Sequence, residues 1–169
     1  MHPFLNPSTR NHPRNAMTAE KRLLDLAIQL PAIPPAGGNY LPYRRSGNQL
    51  FLSGVISVSS DGDSWHGQLG GTRSIEDGYA AARLCALNVL ATLREITGSL
   101  DAISQILYLG GYVNAVSGFD ASPQVINGAS DLFIEVLGEA GQHARAAVAV
   151  AGLPKNATVE IQTIVELKA

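Results

Sequence analysis

Between Ser74 and Gly98 the residues Ile75, Tyr79, Ala82, Ala86, Val89, Leu93 and Ile96 recur at alternating steps of four and three. No other stretch constrains the fold of this chain as strongly. The spacing keeps all seven side chains on one side of an α-helix and predicts a long helix lying on a sheet. Ser74 with Asp77 suits a capped start, Glu76 and Asp77 suit the positive end of the helix, and Gly98 suits its stop. Such a helix draws its stability from packing its apolar stripe, so the rest of the chain must supply the opposing surface.

That surface is written in extended segments. Tyr43–Ser46 and Gln49–Ser53 flank Gly47-Asn48 and predict a β-hairpin, which Val55, Ile56 and Val58 continue. Ser59–Gly71 reads as a polar loop. Ile103–Val113 reads as a strand, with Gly110-Gly111 marking a bulge. Ser122 as cap and Pro123 at the first helical position open a second helix, running to about Ala140 and closed by Gly141. Its stripe is Val125 or Ile126, Ala129, Leu132 or Phe133, Val136 and Leu137. Ala144–Ala151 and Thr158–Leu167 read as two strands joined through Leu153-Pro154-Lys155-Asn156 as an antiparallel hairpin. The order hairpin, helix, strand, helix, hairpin defines an α+β layer, with two helices packed on one face of a mixed sheet. The opposite face, expected to carry Ala147 and Ala149, needs a cover, which another copy of the chain would supply.

Three regions follow. Residues 1–17 form a polar N-terminal extension with three prolines and two histidines, and Met17 is a candidate natural start. Residues 18–36 hold a short helix, Thr18–Gln29, and a proline-rich connector. Thr18 serves as N-cap, but Lys21 stands where a capping box needs Glu or Gln. Leu23, Leu24, Ala27 and Ile28 share its apolar face, and Pro31 ends it. Residues 37–169 form the main domain.

Composition narrows the function. The chain has 169 residues, 46% of them hydrophobic, enough for a core without metal or disulfide staples. Twelve basic and fourteen acidic side chains leave a net charge of −2, which argues against a nucleic-acid binder driven by phosphate neutralisation. The charged fraction of 15% is well below the typical value of about 25%, which points to self-association. No uninterrupted apolar run is long enough for a membrane helix. Cys85 is the sole cysteine, so neither an intrachain disulfide nor a cysteine zinc cage can form, in keeping with a cytoplasmic, reducing location.

Arg145 is the sharpest anomaly, set in the otherwise small and apolar run Ala144–Ala151. A buried guanidinium without a partner costs several kcal/mol, so it must reach solvent, pair with a carboxylate of the protein, or await an anionic ligand. Its fork suits bidentate binding of a carboxylate. Glu160, between Val159 and Ile161, points to the face opposite theirs. There it either orients a water and moves a proton or simply faces solvent with Gln162 and Glu166. Cys85 reads as a packed thiol, His66 and His143 lack metal-ligand spacing, and Gly67–Gly71 lacks the lysine of a phosphate loop.

The assembled pattern resembles the RidA/YjgF family, also labelled endoribonuclease L-PSP, and within it a less characterised branch. The resemblance runs through Gly47-Asn48-Gln49-Leu50-Phe51-Leu52-Ser53-Gly54 and Asn127. It continues in Ala144-Arg145-Ala146-Ala147-Val148, followed by Leu153-Pro154-Lys155 and Val159-Glu160-Ile161, with fifteen residues from Arg145 to Glu160. It implies a chorismate-mutase-like fold and a homotrimer whose sheets form an inner barrel, with clefts between subunits. It also implies hydrolysis of reactive enamines and 2-imino acids to 2-oxo acids and ammonia, without metal or organic cofactor. By the same resemblance Arg145 holds the substrate carboxylate, while Glu160 and the Ala147 carbonyl hold the attacking water. Tyr40, Ser53, Gly54 and Asn127 complete the substrate site. Gly38-Asn39-Tyr40-Leu41 replaces the family's Gly-Pro-Tyr-Ser, and Ala147 stands where a cysteine is often found. The alternative function is a non-catalytic trimer that senses a small carboxylate through the same arginine. An RNA-cleaving translation inhibitor, implied by the family label, fits the acidic pI near 6.0 less well.

Overall fold

A computed structural model describes residues 17–33, 38–60 and 64–169. The N-terminal extension up to residue 16, the end of the connector at 34–36, Gly37 and residues 61–63 of the polar loop lie outside the described residues. The elements are α1 (Ala19–Asp25), β1 (Tyr43–Ser46), β2 (Gln49–Leu52), β3 (Val55–Ile56), α2 (Ile75–Thr97), β4 (Ile103–Asn114), α3 (Ser122–Leu137), β5 (Ala144–Val150) and β6 (Val159–Leu167).

The long helix forms as its spacing requires. Ser74 Oγ accepts from the Asp77 amide at 3.1 Å and Asp77 Oδ2 accepts from the Ser74 amide at 3.2 Å, a reciprocal cap. Gly98 ends the helix at φ 78°, in the left-handed region. Ala82, Ala86, Val89 and Leu93 are fully buried, whereas Ile75 at the first turn is 40% exposed. Gly128 lets α3 lie against α2, because a Cβ there would overlap the Tyr79 carbonyl oxygen.

Several elements differ from expectation. α1 stops at Asp25 rather than Gln29: the Ile28 amide bonds to the Leu23 carbonyl, the Ala27 amide to the Leu24 carbonyl, and Ala27 sits at φ 52°. These paired bonds close the helix before Pro31 is reached. Leu24 consequently points outward, 80% exposed, while Leu23 is buried. α3 takes Ala121 as its cap, Ser122 is already helical, and the helix ends at Leu137 before a 3₁₀ turn over Gly138–Gly141.

The sheet order is β1-β2-β6-β4-β5, with β3 also pairing β6. The β1–β2 hairpin turns at Gly47-Asn48 as expected. The last two strands do not form a hairpin. β5 pairs β4 in parallel, β6 pairs β4 antiparallel, and β4 separates them. A strand entering from α3 returns along β4 as a crossover, leaving the central position for the longer β6. The irregularities of β4 fall between Ile103 and Gln105 and between Ile106 and Tyr108, not at Gly110-Gly111. Gly111 instead makes room for Ile126, whose Cγ1 would lie 2.5 Å from an added Cβ.

The helices cover one face, where Leu50, Leu52, Leu109, Val113, Val159, Ile161 and Val165 meet both helical stripes. Ala147 also packs against this core, on the side where Arg145 reaches α3. Alternation places Ala149 with them, so the open face of β5 carries Ala144, Ala146 and Val148 instead. β5 forms one border of the sheet, and Val148 is 47% exposed.

Candidate functional site

The first cluster gathers where β2 gives way to β3 beside β6. A cavity of about 290 Å³ is lined there by Tyr40, Ser53, Gly54, Lys155 and Glu160, with apolar walls including Pro42, Leu52, Val55 and Ile56. Ser53 ties the preceding segment into place. Its Oγ donates to the Leu41 carbonyl at 2.7 Å and its amide to the Pro42 carbonyl at 2.9 Å. These bonds set the chain next to Tyr40, which is 51% exposed. Ile56 pairs with Glu160 across the β3–β6 ladder, which brings Gly54 beneath the carboxylate. Glu160 is half-buried, and burial pushes its carboxyl above the ordinary carboxylate value. A carboxylate so placed is a competent base for a water. Asn88 borders the cavity from α2 and donates to the Val58 carbonyl at 3.1 Å, fastening the helix to the chain beyond β3.

The second cluster lies along the far border of the sheet. Arg145 Nη1 donates to Asn127 Oδ1 at 2.9 Å and to Ser130 Oγ at 3.0 Å, and Nη2 reaches the Pro123 carbonyl at 3.4 Å. All three acceptors are neutral, and among the described residues no carboxylate forms an ion pair with Arg145. The guanidinium is exposed, so of the three fates open to it the chain has chosen solvent and a neutral cradle. Ala147 lies two residues along the same strand, half-buried.

Arg145 and Glu160 do not meet within one chain. Arg145 pairs with Leu109, and Glu160 pairs with Tyr112. Two ladder steps of about 4.8 Å and three residues of about 3.3 Å therefore separate their backbones. Arg145 reaches toward α3, while Glu160 points away from the core that holds Val159 and Ile161. The structure thus joins Tyr40, Ser53, Gly54 and Glu160 in one group and Asn127, Ala147 and Arg145 in another.

Two further residues join the second group: Ser130, and His143, which the sequence presents only as a histidine without metal-ligand spacing. His143 Nε2 lies 3.0 Å from Ser130 Oγ and its Nδ1 lies 2.6 Å from the Gly141 carbonyl oxygen. A signal was present: Pro123, Asn127 and Ser130 follow the same four-and-three spacing as an apolar stripe. Cys85 is the packed thiol expected, wholly buried. His66 bonds the Lys155 carbonyl at 3.0 Å, a structural contact across the loop. Among the described residues no three His, Cys, Asp or Glu side chains gather to hold a metal, and no helix is long and apolar enough to cross a membrane.

An α+β layer with a mixed sheet and its helices on one face is the chorismate-mutase-like class. Residues 20–167 match the family described as "YjgF/chorismate_mutase-like, putative endoribonuclease". The chain belongs to this family, which includes the proteins called RidA and endoribonuclease L-PSP. It is 43% identical over 143 residues to Protein TCP17 of Trypanosoma cruzi, a match covering 84% of this chain and 89% of that one. The crystal structure of Atu1372 from Agrobacterium tumefaciens, of unknown function, superimposes with a TM-score of 0.80 at 41% identity, over 90% of this chain and 93% of that one. RidA from an Antarctic Psychrobacter superimposes with a TM-score of 0.54 at 25% identity, over 82% and 99% of the two chains.

Proposed function

We propose that the chain hydrolyses reactive 2-imino acids, and the enamines in equilibrium with them, to 2-oxo acids and ammonia, in clefts that form between copies of itself. The observation that carries this reading is the division of the site. One group holds an arginine with no carboxylate partner among the described residues, the other a half-buried carboxylate beside a cavity, and they lie apart on one sheet, on the border strand β5 and on the central β6 beside β3. Each is half of a carboxylate-binding hydrolytic site. Two copies that cover each other's open borders would bring the Arg145 group of one against the Glu160 group of the next. The border strand β5, with its exposed apolar residues and unpaired edge, favours such an assembly.

In that cleft Arg145, steadied by Asn127, holds the substrate carboxylate, and Tyr40 with Ser53 and Gly54 borders the imine. Glu160 and the Ala147 carbonyl hold a water against the imine carbon. The protonated imine is already electrophilic, so positioning and a base suffice. Water adds to carbon as Glu160 takes its proton, and the proton passes to nitrogen. The C–N bond then breaks to release ammonia and the 2-oxo acid. The family membership and the matching positions support this assignment of roles.

The test generates 2-imino acids with an amino-acid oxidase in the presence of semicarbazide and follows their loss. Wild-type acceleration that vanishes in Arg145→Ala supports the proposal. Binding of 2-oxo acids with no turnover over several side chains replaces it with a sensing role for the same trimer.

A further inference from the structure

The Arg145 guanidinium stands at the outer end of a hydrogen-bonded chain leading into the protein. Nη1 donates to Ser130 Oγ at 3.0 Å, Ser130 Oγ lies 3.0 Å from His143 Nε2, and His143 Nδ1 lies 2.6 Å from the Gly141 carbonyl oxygen. Its polarity is set from the inner end. A carbonyl oxygen only accepts, so Nδ1 carries the proton, and in the neutral ring Nε2 is left as an acceptor. The Ser130 hydroxyl therefore donates to Nε2, and its oxygen accepts from Arg145. The imidazole itself is held edge-on to Phe133, with centroids 6.1 Å apart and planes at 90°.

The same geometry specifies what Arg145 has left to offer. A guanidinium has five N–H groups. The two on Nη1 are taken by Asn127 and Ser130, and one on Nη2 by Pro123. Among the described residues nothing takes the Nε–H or the second Nη2–H, a pair able to bind a carboxylate through both oxygens.

We infer that Ser130 and His143 are positioning residues for this site, holding the Arg145 guanidinium in the one orientation that presents that pair to a ligand carboxylate. The inference rests on the carboxylate-binding role proposed for Arg145. Without the chain an exposed arginine on a border strand samples many rotamers, and each encounter with substrate must order it again.

The test compares wild type with Ser130→Ala, His143→Phe and His143→Gln. Phenylalanine keeps a ring against Phe133 without an acceptor, and glutamine restores an acceptor near the Nε2 position. Ser130→Ala, which removes one atom, serves as the second variant should His143→Phe not fold. Two quantities are measured: the order of the Arg145 Nε–H by ¹⁵N relaxation, and kcat/KM for a 2-imino acid relative to its carboxamide. In Ser130→Ala and His143→Phe the preference for the acid falls about five- to tenfold through KM, kcat changes less than about twofold, and Nε loses order. His143→Gln recovers most of the preference. Unchanged Nε order in both Ser130→Ala and His143→Phe overturns the inference, as does an equal fall for acid and amide. A wild type that does not distinguish acid from amide removes the proposed role of Arg145. The relaxation data then still decide whether Ser130 and His143 hold the guanidinium.

Discussion

Gly54 lies directly against the carboxylate of Glu160, so that a Cβ added to Gly54 would overlap Glu160 Oε1 and approach its Cδ to 3.0 Å. The backbone at Gly54 is not in the left-handed region, so the glycine is there for space rather than for a turn. Alanine at this position displaces only the far end of a flexible side chain. Gly54→Ala is therefore expected to lower kcat/KM by at least about tenfold while Tm moves by less than about 3 °C. The imine-trapping assay and a thermal melt, run side by side, check both halves.

Burial raises the Glu160 carboxyl above its ordinary value of 4.5, which fixes the sign of its pH effects. A raised folded-state value contributes stability that is full below the unfolded value and is lost as pH rises through the folded one. Glu160→Gln should therefore melt slightly higher than wild type at neutral pH, with the difference vanishing below pH 4.5. In wild type the acid limb of kcat/KM falls above that value, because the base must be ionised, and Glu160→Gln abolishes activity. Melting curves and rate profiles across acid pH test the two statements.

Because Arg145 on β5 and Glu160 on β6 are held apart by β4 within one chain, two inactive variants should complement each other. Arg145→Ala and Glu160→Gln, unfolded and refolded together in equal amounts, assort at random into oligomers. If each cleft takes its arginine from one copy and its glutamate from the next, about one quarter of the clefts are intact and a like share of activity returns. Activity that stays at the level of the separate variants would place both residues in the same copy's site.

Cys85 is fully buried, donates toward the Val159 carbonyl at 3.5 Å, and has its thiol pushed well up by burial. A thiol kept protonated and covered does not react as a thiolate. A disulfide reagent is expected to leave the native protein untouched for hours and to label one thiol promptly in denaturant. Rapid labelling of the native protein would contradict the packing of α2 on β6.

Gly128 touches the Tyr79 carbonyl so closely that any side chain forces α2 and α3 apart. Gly128→Ala should cost about 1–3 kcal/mol, the usual penalty for overpacking, and lower Tm by several degrees. Since the α2–α3 contact also sets Asn127 and Ser130, the loss of stability should come with a rise in KM. Chemical denaturation and kinetics on the same preparation measure both.

Much of the fold could be read directly. The α2 stripe, its Ser74 and Gly98 ends and the Gly47-Asn48 hairpin all depend on residues near one another in the chain. Local spacing and local backbone preference decide such features. The errors at α1 and α3 are of another kind, since Ala27 takes a left-handed conformation without being a glycine and Ala121 caps a helix without a side-chain acceptor. There the gain from burying Leu23 and the α3 stripe outweighs the local preference.

What the sequence determined by itself was which residues form each strand and helix and which of them are chemically out of place: a lone arginine among alanines, a glutamate among β-branched residues. Only the tertiary structure decided who their neighbours are. β5 and β6 adjoin in sequence and carry Arg145 and Glu160, yet β4 lies between them, because a strand that returns through α3 runs parallel to β4 and fills its far side. Strand order is settled by which long-range pairing buries the most surface beneath the helices, a sum over the whole chain that no short stretch contains. The same sum places Ser130 and His143, thirteen positions apart along the chain, within one hydrogen-bonded chain behind the arginine.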